Sequence, residues 1–232
     1  LRPSIAAFAL MVAMALTTTA LSFFIGPVCE ELGLGRGSFT IYYSLMTASG
    51  AFSIPFHGQT INKKGIRDIL RAAESEKPDI TIALLHWGSE YNDAHNATQE
   101  SIKSLMFSNG VDAIIGTHSH YVQQITFDEA TGQFVAYSLG DFFSDGKRAG
   151  SEYSIVLDLE ITKDNVTGET KITNYSYTPI FTVHEEEKPL RVVRIQEAVA
   201  AYENGFISKV SPETYEKMLY ALQRIEARVA GK

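Results

Sequence analysis

Only four charged side chains, Arg2, Glu30, Glu31 and Arg36, interrupt the first 57 residues, and this sets the strongest limit on what the chain can fold into. From Ile5 to Val28 there is no charge and a wealth of Ala, Leu, Met and Phe. At ~1.5 Å rise per residue a helix of that length crosses a ~30 Å hydrocarbon core. Ala13, Ala15, Thr17, Thr18, Thr19 and Ala20 supply the small and hydroxyl-bearing side chains that close helix packing in lipid uses. A glycine-rich connector, Glu30 to Gly37, leads to Ser38, a good N-cap, and to a second charge-free run, Phe39 to Phe56. The expectation is a two-helix transmembrane hairpin over residues 1–57, with a cleavable signal peptide or a buried soluble hairpin as competing readings. Lys63, Lys64 and Arg67 would hold its end on the cytoplasmic face.

The acidic excess falls on the rest of the chain. A formal net charge of −7 with no basic stripe excludes general nucleic-acid binding, which needs cations to displace counterions from phosphates. The single cysteine, Cys29, excludes an intrachain disulfide and a cysteine-rich metal site.

Beyond the hairpin the pattern is α/β. Asp68 to Glu76 has helical spacing, Ile80 to Leu85 reads as a buried strand, and Gln99 to Ser108 as an amphipathic helix with Ile102, Leu105 and Met106 inward and Asn109-Gly110 at its end. Ala113 to Ile115 is a second buried strand. Val122 to Phe127 and Gln133 to Ser138 flank a turn at Asp128 to Gly132, and Tyr153 to Ile161 and Lys171 to Val183 alternate as a long strand pair. Glu185 to Pro189 reads as a solvated linker, Val192 to Tyr202 as a helix, and Ser211-Pro212 as the cap of a last helix ending near Val229.

Both early strands end in histidine. His86 follows the first, and His118 and His120 follow the second after Gly116, which is read as permitting the turn. Carboxyl ends of strands are where α/β sheets keep ligand sites. Three neutral imidazoles are plausible ligands for one transition ion. Taken singly, each histidine is better explained as an ordinary loop or core-edge residue; the joint pattern reverses that and favours a metal site.

The motifs His86-Trp87-Gly88-x-Glu90-Tyr91, Gly116-x-His118-x-His120 and Tyr137-Ser138-Leu139-Gly140-Asp141-Phe142 resemble the successive signatures of bacterial capsule-synthesis proteins of the CapA type, implicated in poly-gamma-glutamate production. The resemblance covers about residues 76–185 and departs at Asp141, where the family usually has Asn. It implies a calcineurin-like metallophosphoesterase fold, here a partial sandwich, with His86, His118 and His120 at late metal positions and Mn, Fe or Zn as the metal. Glu90 and Asp141 are then candidates to orient an imidazole from behind, or else a helix cap or surface carboxylate. The family's early motifs, a Gly-Asp strand end, a glutamate after the next strand and an Asn-x-His loop, have no counterpart, so the site is expected to be incomplete, its metal weakly held or absent, and catalysis uncertain.

A second resemblance lies upstream. Gly58, Gly65 and Arg67 match the loop signature between the second and third helices of major facilitator transporters. The expected organisation is therefore a transporter-like hairpin over 1–57, a junction over 58–75 and a CapA-like part over 76–232. Two functions follow: a truncated, membrane-anchored capsule-synthesis protein of the bacterial plasma membrane, working with envelope-polymer biosynthesis proteins, or a transporter fragment or non-catalytic fusion product.

Overall fold

A computed structural model describes residues 61–144, 148–185, 188–206 and 210–232. Its first element begins where Asn62 accepts the Gly65 N–H on its side chain at 2.9 Å. That cap starts helix α1, Lys63–Ser75, ahead of Asp68, so the described part of the transporter-like signature is the first turns of a helix and not a loop. Leu70 and Ala73 are its buried face. Among the described residues no helix is long and apolar enough to cross a membrane. The expected hairpin over 1–57 lies outside the described residues.

Strand β1 (Ile82–His86), helix α2 (Ala97–Phe107) and strand β2 (Ala113–Thr117) form a parallel crossover, with Ile82 opposite Ala113 and His86 opposite Thr117. A full capping box starts α2: the Asn96 side chain accepts the Gln99 N–H, and the Gln99 side chain accepts the Asn96 N–H. A tight hairpin of β3 (Ile125–Asp128) and β4 (Gln133–Ala136) completes the sheet in the order β1-β2-β4-β3, with β4 parallel to β2.

Period-two alternation sends the side chains of this sheet to two cores. Ala113, Phe134 and Ala136 face one, Ala83, Leu85, Ile114, Val135 and Tyr137 the other. The second core is closed by α1 and α2 through Leu70 and Met106. The first is shared with an antiparallel sheet of β5 (Tyr153–Lys163), β6 (Thr170–Val183) and β7 (Arg191–Arg194), and with helices α3 (Ile195–Glu203) and α4 (Pro212–Val229). Helix α4 is capped by Ser211, carries Pro at its first turn, and buries Thr214, Met218, Ala221, Ile225 and Val229 at helical spacing. The fold is mixed α/β.

Two expectations about the carboxyl-terminal part are corrected. Arg191–Arg194 is a strand, not the start of a helix, because Val193 and Val192 pair with Phe181 and Thr182 on the free edge of β6. Glu185 is not a solvated linker residue. Its side chain is 8% exposed, pairs with Lys188 at 2.9 Å and Arg191 at 3.2 Å, and accepts the Ser211 N–H at 2.7 Å, tying the strand end to the cap of α4.

Burial would raise the Glu185 pKa, but Lys188, the Ser211 N–H and Arg191 outweigh it and bring the carboxyl from 4.5 to about 2. A depressed carboxyl pKa stabilises the fold above the unfolded value, and that stabilisation is lost as the pH falls through the folded value. Discounted for solvent screening of a partly open ion pair, Glu185→Gln should cost roughly 1–2 kcal/mol at neutral pH. Chemical denaturation of the full chain at several pH values checks this: the deficit of the variant should shrink below pH ~4.5 and vanish near pH ~2. A deficit independent of pH would contradict the assignment.

Candidate metal centre

Because β1 and β2 are paired in register, the chain leaves both strands at the same edge, and the Trp87 N–H donates to the Thr117 carbonyl at 3.2 Å just beyond. His86, at the end of β1, has its Nδ1 3.3 Å from Thr117 Oγ1. The loop after β2 then turns sharply. It does so through the histidines: His118 has φ 101° and His120 φ 61°, both in the left-handed region that non-glycine residues seldom occupy. Ser119, between them, is fully buried and donates its hydroxyl to the Tyr121 carbonyl at 2.7 Å.

Gly116 therefore has a different role from the one its position suggests. Its φ is not positive, and it lies inside β2. A Cβ there would sit 2.0 Å from the Tyr137 carbonyl oxygen and 2.3 Å from Trp87 Nε1, atoms that are hydrogen-bonded to each other at 2.9 Å. Glycine is needed for the close crossing of an indole and a backbone, not for a turn.

The rings of His86 and His118 are 4.3 Å apart, centroid to centroid, and those of His118 and His120 6.5 Å. His120 Nδ1 lies 2.9 and 3.0 Å from the two oxygens of Asp141, which leaves Nε2 as the nitrogen open to a ligand. Glu90 is exposed and makes no hydrogen bond to a histidine among the described residues. Its charge still acts on His86. Burial and the neighbouring His118 and His120 lower the His86 pKa, and Glu90 opposes them.

Behind the histidines stands a polar and aromatic frame that the sequence motifs did not reveal. The fully buried Gln123 donates its amide to the Asn92 and Ala94 carbonyls at 2.8 and 3.0 Å, and accepts from the equally buried Gln99 at 3.3 Å. The two amides join the loop after β1 to the loop after β2. Tyr137 stacks between Trp87 (5.8 Å) and His95 (4.0 Å) and donates its hydroxyl to Glu100. Burial and that carboxylate push its pKa above the usual tyrosine range. From α4, Arg228 lies over the Tyr121 and Tyr153 rings and shares Asp93 with Arg224. The only one of these with a readable signal was Gln99, as the third helical residue of an Asn-x-x-Gln capping box.

In kind, the donors suit a transition ion: three imidazoles at one sheet edge, one held from behind by a carboxylate. In arrangement, no group of three or more His, Cys, Asp or Glu side chains among the described residues is gathered closely enough to hold a metal ion. The His120 ring, turned to Asp141, stands apart from the close His86–His118 pair.

Comparison with known proteins places all three motifs in one matching segment. Residues 37–146 match the family model for bacterial capsule synthesis protein PGA_cap. Within a 104-residue overlap the chain is 33% identical to the capsule biosynthesis protein CapA of Bacillus anthracis, covering 44% of this chain and 25% of that protein. It is 32% identical over 95 residues to the PGA biosynthesis protein CapA of Bacillus subtilis (strain 168), covering 41% and 24%. The chain thus spans about a quarter of the length of the curated relatives it matches. The match begins at residue 37, the last residue of the connector, and takes in the second apolar run, so it gives no support to reading that run as part of a transporter.

Proposed function

We propose that this chain acts in bacterial capsule synthesis at the cell envelope, through a metallophosphoesterase-like half-site in which His86, His118 and His120 hold one divalent transition ion, Mn, Fe or Zn. The observation that carries the reading is the His120–Asp141 contact, 2.9 Å, at the carboxyl end of paired parallel strands. A carboxylate behind an imidazole fixes its tautomer and raises its basicity toward a metal. When bound, such an ion would polarise an oxygen of an anionic envelope precursor. Gathering three ligands requires the His120 ring to close on the His86–His118 pair, so weak binding is expected. Efficient phosphoester hydrolysis needs a second ion or carboxylates that fix the attacking water, and the motifs supplying them have no counterpart in this sequence, so turnover of phosphoesters is expected to be negligible.

Equilibrium dialysis of the full chain against Zn, Mn and Co at neutral pH tests this, and one ion per chain is the expected stoichiometry. Asp141→Ala should weaken uptake roughly 10- to 100-fold, whereas Asp141→Asn, which keeps an acceptor for Nδ1–H, should lose less. No uptake of any of the three ions by the unmodified chain would end the reading.

A further inference from the structure

Beside the histidines lies a cation that the half-site leaves unused. The guanidinium of Arg148 rests 4.7 Å from the centre of the Tyr91 ring, and that ring is stacked on His120 at 4.9 Å and 18°. Both partners of this pile are fixed by backbone. Tyr91 has φ 55° and donates its N–H to the Ser119 carbonyl at 2.8 Å, in the middle of the histidine loop. The Arg148 carbonyl accepts the Ser151 N–H at 3.1 Å and the Ser151 hydroxyl at 2.8 Å, and the next carbonyl, of Ala149, accepts the Tyr121 hydroxyl at 2.9 Å.

Three nearby acids among the described residues are committed elsewhere, and the exposed Glu90 makes no ion pair with Arg148. Asp141 is on His120, Glu152 accepts the Gly150 N–H at 2.5 Å, and Asp93 is shared by Arg224 and Arg228. Among the described residues Arg148 has no carboxylate partner. A guanidinium lying on an aromatic face keeps the N–H groups along its edge, and these match the paired oxygens of a phosphate or carboxylate. In a chain of net charge −7, such a cation can draw an anion to one place only if it is exposed and free of a carboxylate, as Arg148 is among the described residues.

We propose that Arg148 anchors an oxyanion group of the ligand, phosphate or carboxylate, beside the histidine cluster, with Tyr91 setting the guanidinium relative to His120. This rests on the histidine cluster being the ligand site, but the anion contact needs no metal. The full chain is therefore titrated calorimetrically with inorganic phosphate and, separately, with glutarate, in chelator at constant ionic strength, while metal uptake is measured by dialysis on the same proteins. Saturable binding of at least one anion is expected, weakened at least tenfold by Arg148→Ala and less by Arg148→Lys, with metal uptake unchanged in both variants. Phosphate alone would mark a phosphorylated ligand and glutarate alone a carboxylate one. Should Arg148→Ala fail to fold, judged by circular dichroism, Arg148→Lys and Arg148→Gln carry the comparison. Equal affinity in the folded variants and the unmodified chain, or no saturable binding of either anion, overturns the proposal. Metal uptake, read separately, then still reports on the histidines.

Discussion

Gly116→Ala is expected to destabilise the chain by roughly 4–5 kcal/mol or more, and so to remove most of the stability a domain of this size has. The added methyl group would meet the Tyr137 carbonyl at 2.0 Å and Trp87 Nε1 at 2.3 Å. Neither neighbour can retreat. Tyr137 is 1% exposed and stacked on Trp87, which is itself buried, so relief means breaking the buried indole–carbonyl hydrogen bond and parting β2 from the segment after β4. Urea unfolding of the full chain measures the effect. Gly110→Ala is the control, since that glycine has a positive φ of 84° but nothing within 4 Å of an added Cβ, and its cost should stay near ~1 kcal/mol. If the two variants unfold at similar urea concentrations, the close-crossing account of Gly116 is wrong.

The second large effect concerns the metal. Replacing His118 and His120 together should reduce transition-metal affinity roughly 100-fold or more, because it removes two of three imidazoles and leaves Asp141 with nothing to orient. Asparagine is the better replacement. Both positions have positive φ, where Asn is better tolerated than Ala, so the double Asn variant should keep the loop and the stability of the fold. Cobalt absorption spectra, with thermal melting as the check on folding, separate lost ligands from a lost loop. Unchanged affinity in a folded double variant would remove the histidines from any metal role.

Local pattern made the architecture legible where neighbours agree with it. Ala113 to Ile115 is a continuous apolar run, Tyr153 to Ile161 alternates in the period of a strand, and Ser211-Pro212 marks the start of α4 by chemistry that needs no partner. Where a distant segment decides, the sequence is silent. Nothing within Arg191–Arg194 distinguishes a strand from the first turn of a helix until β6 offers an unpaired edge, and nothing in Glu185 to Pro189 shows that one glutamate will be buried under Lys188, Arg191 and the cap of α4. The same holds at the site. Strand-ending histidines are visible as a motif, but Gly116 reads as a turn until Trp87 and Tyr137 are seen to cross over it, and Gln123 and Arg148 acquire meaning only from residues far along the chain.

The long β5–β6 pair separates two ends of the molecule. Its base, at Tyr153 and Phe181, packs in the core near the Arg228 stack, and at ~3.4 Å per residue β5 carries its other end roughly 35 Å away. That far end is held by Lys163 to Asp79, ahead of β1, on the side of the sheet opposite the histidines. At the tip, Asp164 accepts the N–H groups of Val166 and Thr167, and Val166 is 95% exposed. A dye, an affinity tag or a surface tether attached at residue 166 would thus grip the molecule by its back, leaving His86, His118 and His120 turned toward the solution.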